Sequence, residues 1–106
     1  MEYTVKSLAK LAGISSRTLR YYDEINLLKP CRVNSSGYRI YGEEEVDTLQ
    51  QIMFYKEMGL PLEKIKEIIS NKDFNQKNAL IAHRNKLKEE QLRIEALLRN
   101  VEKTIK

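Results

Sequence analysis

Apolar residues early in the chain recur three and four positions apart. Val5, Leu8 and Ala9, followed by Leu11 and Ala12, have the period of one helix face, and that helix is expected to end at Gly13. Tyr3 to Val5 reads as a short strand or a simple lead-in. Ser15 is a good N-cap, so a second helix is predicted from about Ser16 to Glu24. Leu19 supports its buried side, with Ile25 and Leu27 or Leu28 closing the unit. Two short helices around a Gly-containing turn have the spacing of a helix–turn–helix, here about residues 5–24.

The rhythm then changes to that of strands. Pro30 blocks helix, and Asn34-Ser35-Ser36-Gly37 is a turn cluster flanked by Val33 on one side and Tyr38, Ile40 and Tyr41 on the other. Lys29 to Tyr41 is therefore predicted to be a hairpin carrying Arg32 and Arg39. Such a basic, aromatic hairpin after a helix–turn–helix has the character of a wing. Glu43, Glu44 and Glu45 stack acids where the dipole of a third helix favours them. Val46, Leu49, Ile52 and Met53 give that helix an apolar face, and Gly59 ends it. Pro61 stands near the start of a fourth helix, whose inner stripe is Leu62, Ile65, Ile68 and Ile69. A break is expected at Asn71 to Asn75.

From Asn78 to Lys106 there is neither Gly nor Pro. Leu80, Leu87, Ile94 and Val101 recur every seven residues, and Arg84, Gln91, Leu98 and Ile105 occupy the complementary seam position four residues on. This is a coiled-coil pattern, with polar Arg84 and Gln91 tuning register or orientation. A helix from Asn75 onward would be about 48 Å long. One such helix cannot bury its own seam, and a second copy of the chain is the simplest partner. The dimerisation residues are thus expected to be Leu80, Leu87, Ile94, Leu98, Val101 and Ile105. The fold class that emerges is mainly α. A winged helix–turn–helix head, four helices plus a small hairpin over residues 1–71, precedes a long coiled-coil helix over residues 75–106.

The net charge of +4 is mild, but its distribution is informative. Residues 1–42 carry 7 Lys and Arg against 3 Asp and Glu, residues 43–74 carry 4 against 8, and residues 75–106 carry 8 against 4. A basic first segment that holds the candidate recognition helix is the electrostatic footprint of a polyanion binder. A 42% hydrophobic content suffices for a modest core, and 32% charged residues suit a soluble, helix-rich chain. No apolar run approaches the roughly 20 residues needed to span a bilayer, and the start lacks the plan of a signal peptide. Cys31 is the sole cysteine, which excludes an internal disulfide and fits a reducing cytoplasm.

Arg17 and Arg20, three apart, share a helix side, and two tyrosines follow within the next turn. Guanidiniums and phenols on an exposed helix suit contacts to phosphates and base edges. The bland alternative is a solvated basic face over core tyrosines. Enzymatic function is not expected: there is no Gly-rich phosphate loop and no arranged nucleophile–base pair. Cys31 and the lone His83 do not make a metal site, so a partly buried thiol and a surface or seam imidazole are expected. No cofactor is implied.

With these residues in place, the chain resembles the MerR family of bacterial transcription regulators. The resemblance rests on T-V-K-S-L-A-K-L-A-G-I-S (Thr4 to Ser15), R-T-L-R-Y-Y-D (Arg17 to Asp23), L-L-K-P (Leu27 to Pro30) and G-Y-R-I-Y (Gly37 to Tyr41). Phe74 to Arg84 and the final V-E-K-T-I look most like the multidrug-responsive branch. The resemblance implies a homodimer held by antiparallel coiled-coil helices, bound to a pseudo-palindrome in a promoter with an overlong spacer. Distortion of that spacer would let RNA polymerase engage both promoter elements, and activation is the favoured sign. Carried over residue by residue, Arg17, Arg20 and Tyr21 match exposed recognition-helix positions, and Tyr22 matches a tyrosine that contacts the DNA backbone or buttresses the head. Tyr38, Arg39 and Tyr41 match the first wing, and Lys56 a phosphate contact of the second. A core role competes for Tyr22 and Tyr41, and simple solvation for Lys56.

The cysteines that metal-sensing members carry around the long helix are missing here, and the chain stops with its coiled coil. It is then either the DNA-binding portion of a longer regulator or a short member. Two other function classes compete: an architectural, excisionase-like DNA bender, and a coiled-coil adaptor whose head binds protein. The long heptad helix disfavours the first, and the basic hairpin disfavours the second.

Overall fold

The computed structural model describes residues 1–70 and 76–106 and divides the chain into two compact units, Met1–Lys72 and Asp73–Lys106. In the first unit the order is β1 (Tyr3–Thr4), α1 (Val5–Ala12), α2 (Ser16–Glu24), β2 (Arg32–Val33), β3 (Arg39–Tyr41), α3 (Glu43–Glu57) and α4 (Leu62–Ser70). The expected break at Asn71 to Asn75 lies outside the described residues.

Local chemistry sets the helix ends. Thr4 caps α1 by accepting from the Ser7 amide at 3.1 Å, and the Ser7 hydroxyl accepts from the Thr4 amide at 2.9 Å. This reciprocal pair satisfies two amides that a helix start would otherwise leave open. Gly13 ends α1 at φ +73°, and the following Ile14 amide donates back to the Ala9 carbonyl at 3.0 Å. A side chain at that left-handed position would be strained, which is why the turn is built on glycine. Ser15 then caps α2 through the Thr18 amide at 3.0 Å.

Leu8, Leu19, Tyr22, Tyr41, Leu49, Ile52 and Ile65 form the fully buried centre of the head. Each aliphatic member withdrawn from water contributes about 1.5–3 kcal/mol to folding. Leu11, expected on the apolar face of α1, is instead 63% exposed. The α1 core stripe is Val5, Leu8 and Ala9, and Leu11 lies round the helix from it. In α3 the buried residues are Leu49, Ile52 and Tyr55, whereas Val46 and Met53 are only half-buried. Leu27 and Leu28 are both buried, so the α2 exit contributes two core leucines.

The expected hairpin is present as the β2–β3 pair, with Arg32 opposite Ile40 and Val33 opposite Arg39. Its turn is organised by Asn34, whose Oδ1 accepts from the Ser36 and Tyr38 amides at 3.0 and 2.9 Å. The lead-in segment adds β1 as a third antiparallel strand, with Tyr3 opposite Tyr41 and Thr4 opposite Ile40, giving the order β1-β3-β2. Helices α1 and α3 both pack on β3. Gly42 alone separates β3 from α3, and its amide donates to Glu45 Oε1 at 2.7 Å.

The second unit contains α5 (Gln76–Ile105), 30 residues and therefore about 45 Å long. None of its residues is buried: seam residues Ile94 and Ile105 are 45% and 78% exposed. No helix among the described residues is long and apolar enough to cross a membrane.

Candidate nucleic-acid interface

Helix α2 has two faces of different chemistry. Leu19 and Tyr22 point into the core, while Arg17, Arg20, Tyr21 and Glu24 are exposed and line one shallow surface depression with Thr18. Their spacing of three, four and seven puts them along one stripe. Tyr21 is 48% exposed, enough to present its phenol. A second depression joins this helix to the wing, lined by Thr4, Val5, Lys6, Arg20, Gly37, Tyr38 and Arg39. Arg20 belongs to both. Tyr38, at the wing turn, is 65% exposed. Guanidinium, ammonium and phenol groups therefore border one continuous surface, the donor set that suits phosphates and base edges.

Arg39 is held rather than free. Its Nε donates to Asp23 Oδ2 at 2.8 Å, and Lys29 Nζ donates to the other carboxylate oxygen, Oδ1, at 3.0 Å. The Arg39 hydrogen bond, with Lys29 beside it, holds the Asp23 carboxyl below its ordinary range although burial opposes this. The same bond raises Arg39 above the ordinary arginine value. Asp23 thus ties together the last turn of α2, the segment before the wing, and β3. Nothing in the sequence marked this residue beyond its place after the two tyrosines.

Two candidates sit inside the head. Tyr41 is fully buried at the end of β3, where α1 and α3 converge, and its hydroxyl has no hydrogen-bond partner among the described residues. Burial pushes its phenol pKa up. Tyr22 is buried three residues after Leu19, on the core side of α2. Both rings are buried, which fits the core role that the sequence left open beside DNA contact for each of them. Lys56 is exposed on α3, with Nζ donating to the Tyr22 hydroxyl at 3.3 Å and lying 5.9 Å from its ring centre. Its ammonium is therefore steadied by the tyrosine beneath it. Arg32, on β2, pairs with Glu2, just before β1, at 2.6 Å. Lys6, which the sequence did not single out, borders the same depression as Arg20 and Tyr38.

Cys31 is exposed, not partly buried as expected. Among the described residues no three His, Cys, Asp or Glu side chains come together as metal ligands.

A family model described as MerR HTH family regulatory protein matches residues 3–72. The chain is 37% identical over 105 residues to the HTH-type transcriptional activator mta of Bacillus subtilis (strain 168), covering 99% of this chain and 41% of that protein. It therefore spans about two fifths of that relative's length. Its structure is similar to MtaN, the N-terminus of the Bacillus subtilis multidrug transporter activator, at 37% identity and TM-score 0.91, covering 97% of each chain. It is also similar to HiNmlR, a MerR family regulator lacking the sensor domain and bound to promoter DNA. That match has 28% identity and TM-score 0.64, covering 96% of this chain and 80% of that one.

Proposed function

The chain belongs to the MerR family of helix–turn–helix regulatory proteins, and from that premise we propose that it is a sequence-specific, DNA-binding transcription regulator acting as a homodimer in the bacterial cytoplasm. The observation that carries this reading is the exposed stripe of Arg17, Arg20 and Tyr21, continued through Arg20 to the wing residue Tyr38. The stripe enters the major groove, Tyr38 and the wing meet the flanking backbone, and Lys56 contacts phosphate. Two heads, tethered by their α5 helices, occupy the halves of a pseudo-palindromic promoter site. Distortion of the intervening spacer controls RNA polymerase through the DNA, in the manner of readout by deformation. Similarity to an activator and to a promoter-bound relative supports activation through promoter DNA.

The test is fluorescence anisotropy on the inverted repeat nearest the gene and on a random duplex, across a salt titration. Preference for the repeat, with a salt slope set by several phosphate contacts, is expected. Equal affinity for both duplexes would overturn the sequence-specific reading and favour an architectural DNA bender.

A further inference from the structure

Helix α5 presents an unpartnered apolar seam together with charges that constrain how a second copy can cover it. We propose a specific register for this pairing, resting on the homodimer reading above: Leu87 of one α5 lies opposite Leu98 of the partner subunit, in antiparallel orientation. The adjoining layers then follow without gaps. Leu80 meets the partner's Ile105, Arg84 meets the partner's Val101, and Gln91 meets the partner's Ile94, so all eight seam positions are matched within the described helix.

Charge selects this arrangement over its competitors. It sets Lys88 beside the partner's Glu95 on both sides of the two-fold axis, and it lets the Arg84 guanidinium reach the partner's Glu102 while its stem covers Val101. A parallel pairing would instead stack Arg84 on its own copy within the seam and put Glu90 beside the partner's Glu95. Sliding the antiparallel helices by seven residues one way brings Lys88 against the partner's Lys88 and Glu90 against the partner's Glu90. Sliding them the other way brings Glu95 against the partner's Glu95. Only the proposed register matches the seam without like charges flanking it. In every antiparallel heptad register the two polar seam residues, Arg84 and Gln91, face the aliphatic row of the partner, whereas a parallel pairing would stack each on its own copy.

Cysteine cross-linking tests this in the full chain with Cys31→Ser, which removes the exposed native thiol. Leu87→Cys and Leu98→Cys proteins are prepared separately, then mixed, exchanged and mildly oxidised with sedimentation run in parallel. Disulfide-linked dimers are expected from the mixture and not from either protein alone, because each cysteine lies far along the axis from its own copy. Dimers by sedimentation that link in each single variant, or fail to link in the mixture, would overturn the register and leave the homodimer standing. A parent chain that sediments as a monomer would overturn the homodimer reading itself, and the register with it. Charge reversal gives an independent readout. Lys88→Glu or Glu95→Lys should each raise the dimer dissociation constant about tenfold, and the double variant should restore it. Failure of the double variant to restore affinity would count against the register.

Discussion

Arg39 Nε donates a 2.8 Å hydrogen bond to Asp23 Oδ2, joining strand β3 to the last turn of α2. The bond uses one of the five N–H donors of the guanidinium, so Arg39 can be anchored and still offer donors outward. Lys29, on the second carboxylate oxygen, completes a three-point clasp. The clasp thus adds an electrostatic tie between the wing and α2 to the packing of Ile40 and Tyr41 in the core.

Asp23→Asn should expose that clasp through pH. The Asp23 carboxyl is held below its ordinary value when folded, so its stabilisation is complete above the unfolded pKa of about 4 and is lost as pH falls through the folded value. At neutral pH the variant is expected to be less stable by about 1.5 kcal/mol, the low end for a hydrogen bond to a charged group, because Arg39 and Lys29 are partly solvated. Below about pH 4 its stability should decline less steeply than that of the parent. Urea denaturation from pH 2 to 7 checks both.

Arg20→Ala should weaken binding to the specific duplex by about 1–3 kcal/mol and relax sequence preference, as loss of a base contact does. Lys56→Ala should weaken specific and random duplexes alike and reduce the salt slope by about one. Anisotropy titrations at several salt concentrations separate the two patterns. Tyr22→Phe provides the control, because it removes the hydroxyl that Lys56 touches and leaves the ring in place. Its effect on affinity should be small.

Tyr41→Phe should be neutral or stabilising by up to about 1 kcal/mol. The buried hydroxyl has no partner among the described residues, so its removal ends a desolvation penalty while the ring stays in the core. Tyr41→Ala should cost about 3–5 kcal/mol through the cavity it leaves. Thermal and chemical unfolding distinguish them, and a Phe variant losing DNA affinity at unchanged stability would return Tyr41 to the interface.

Ile94→Asp should convert dimers to monomers at micromolar concentration, because it places unpaired charge in the middle of the proposed seam. Operator affinity should fall with it, since two untethered heads lose their shared effective concentration. Sedimentation equilibrium and anisotropy on one preparation measure both effects. A variant that stays dimeric would move the interface elsewhere.

Elements set by local rules were legible from residue order alone. Ser15, Gly13, Pro61 and the acids at Glu43 to Glu45 act within one helical turn, and their positions carry their meaning. The exposed Arg17, Arg20 and Tyr21 followed from helical spacing in the same way. What stayed hidden depended on contacts distant in sequence. Tyr3 to Val5 stayed open between strand and lead-in because Tyr3 and Thr4 find their pairing partners only in β3, some 37 residues later. Tyr55 is buried where Met53 is not because the packing direction of α3 is fixed by its neighbours. Asp23 acquires its role from Arg39, 16 residues on. Tyr22 and Tyr41 left two readings open for the same reason: a phenol suits both a core and a groove until burial decides.

The single-residue joint at Gly42 determines where this head can change length. An extra residue there would advance α3 by about 100° about its axis, turning Leu49, Ile52 and Tyr55 out of the core. The wing tip at Ser35 and Ser36 is exposed and could take an insertion without rephasing any helix. Variation in wing length, whether arising by drift or introduced by grafting, is therefore confined to the tip, and a loop transplanted there would keep the rest of the head in phase.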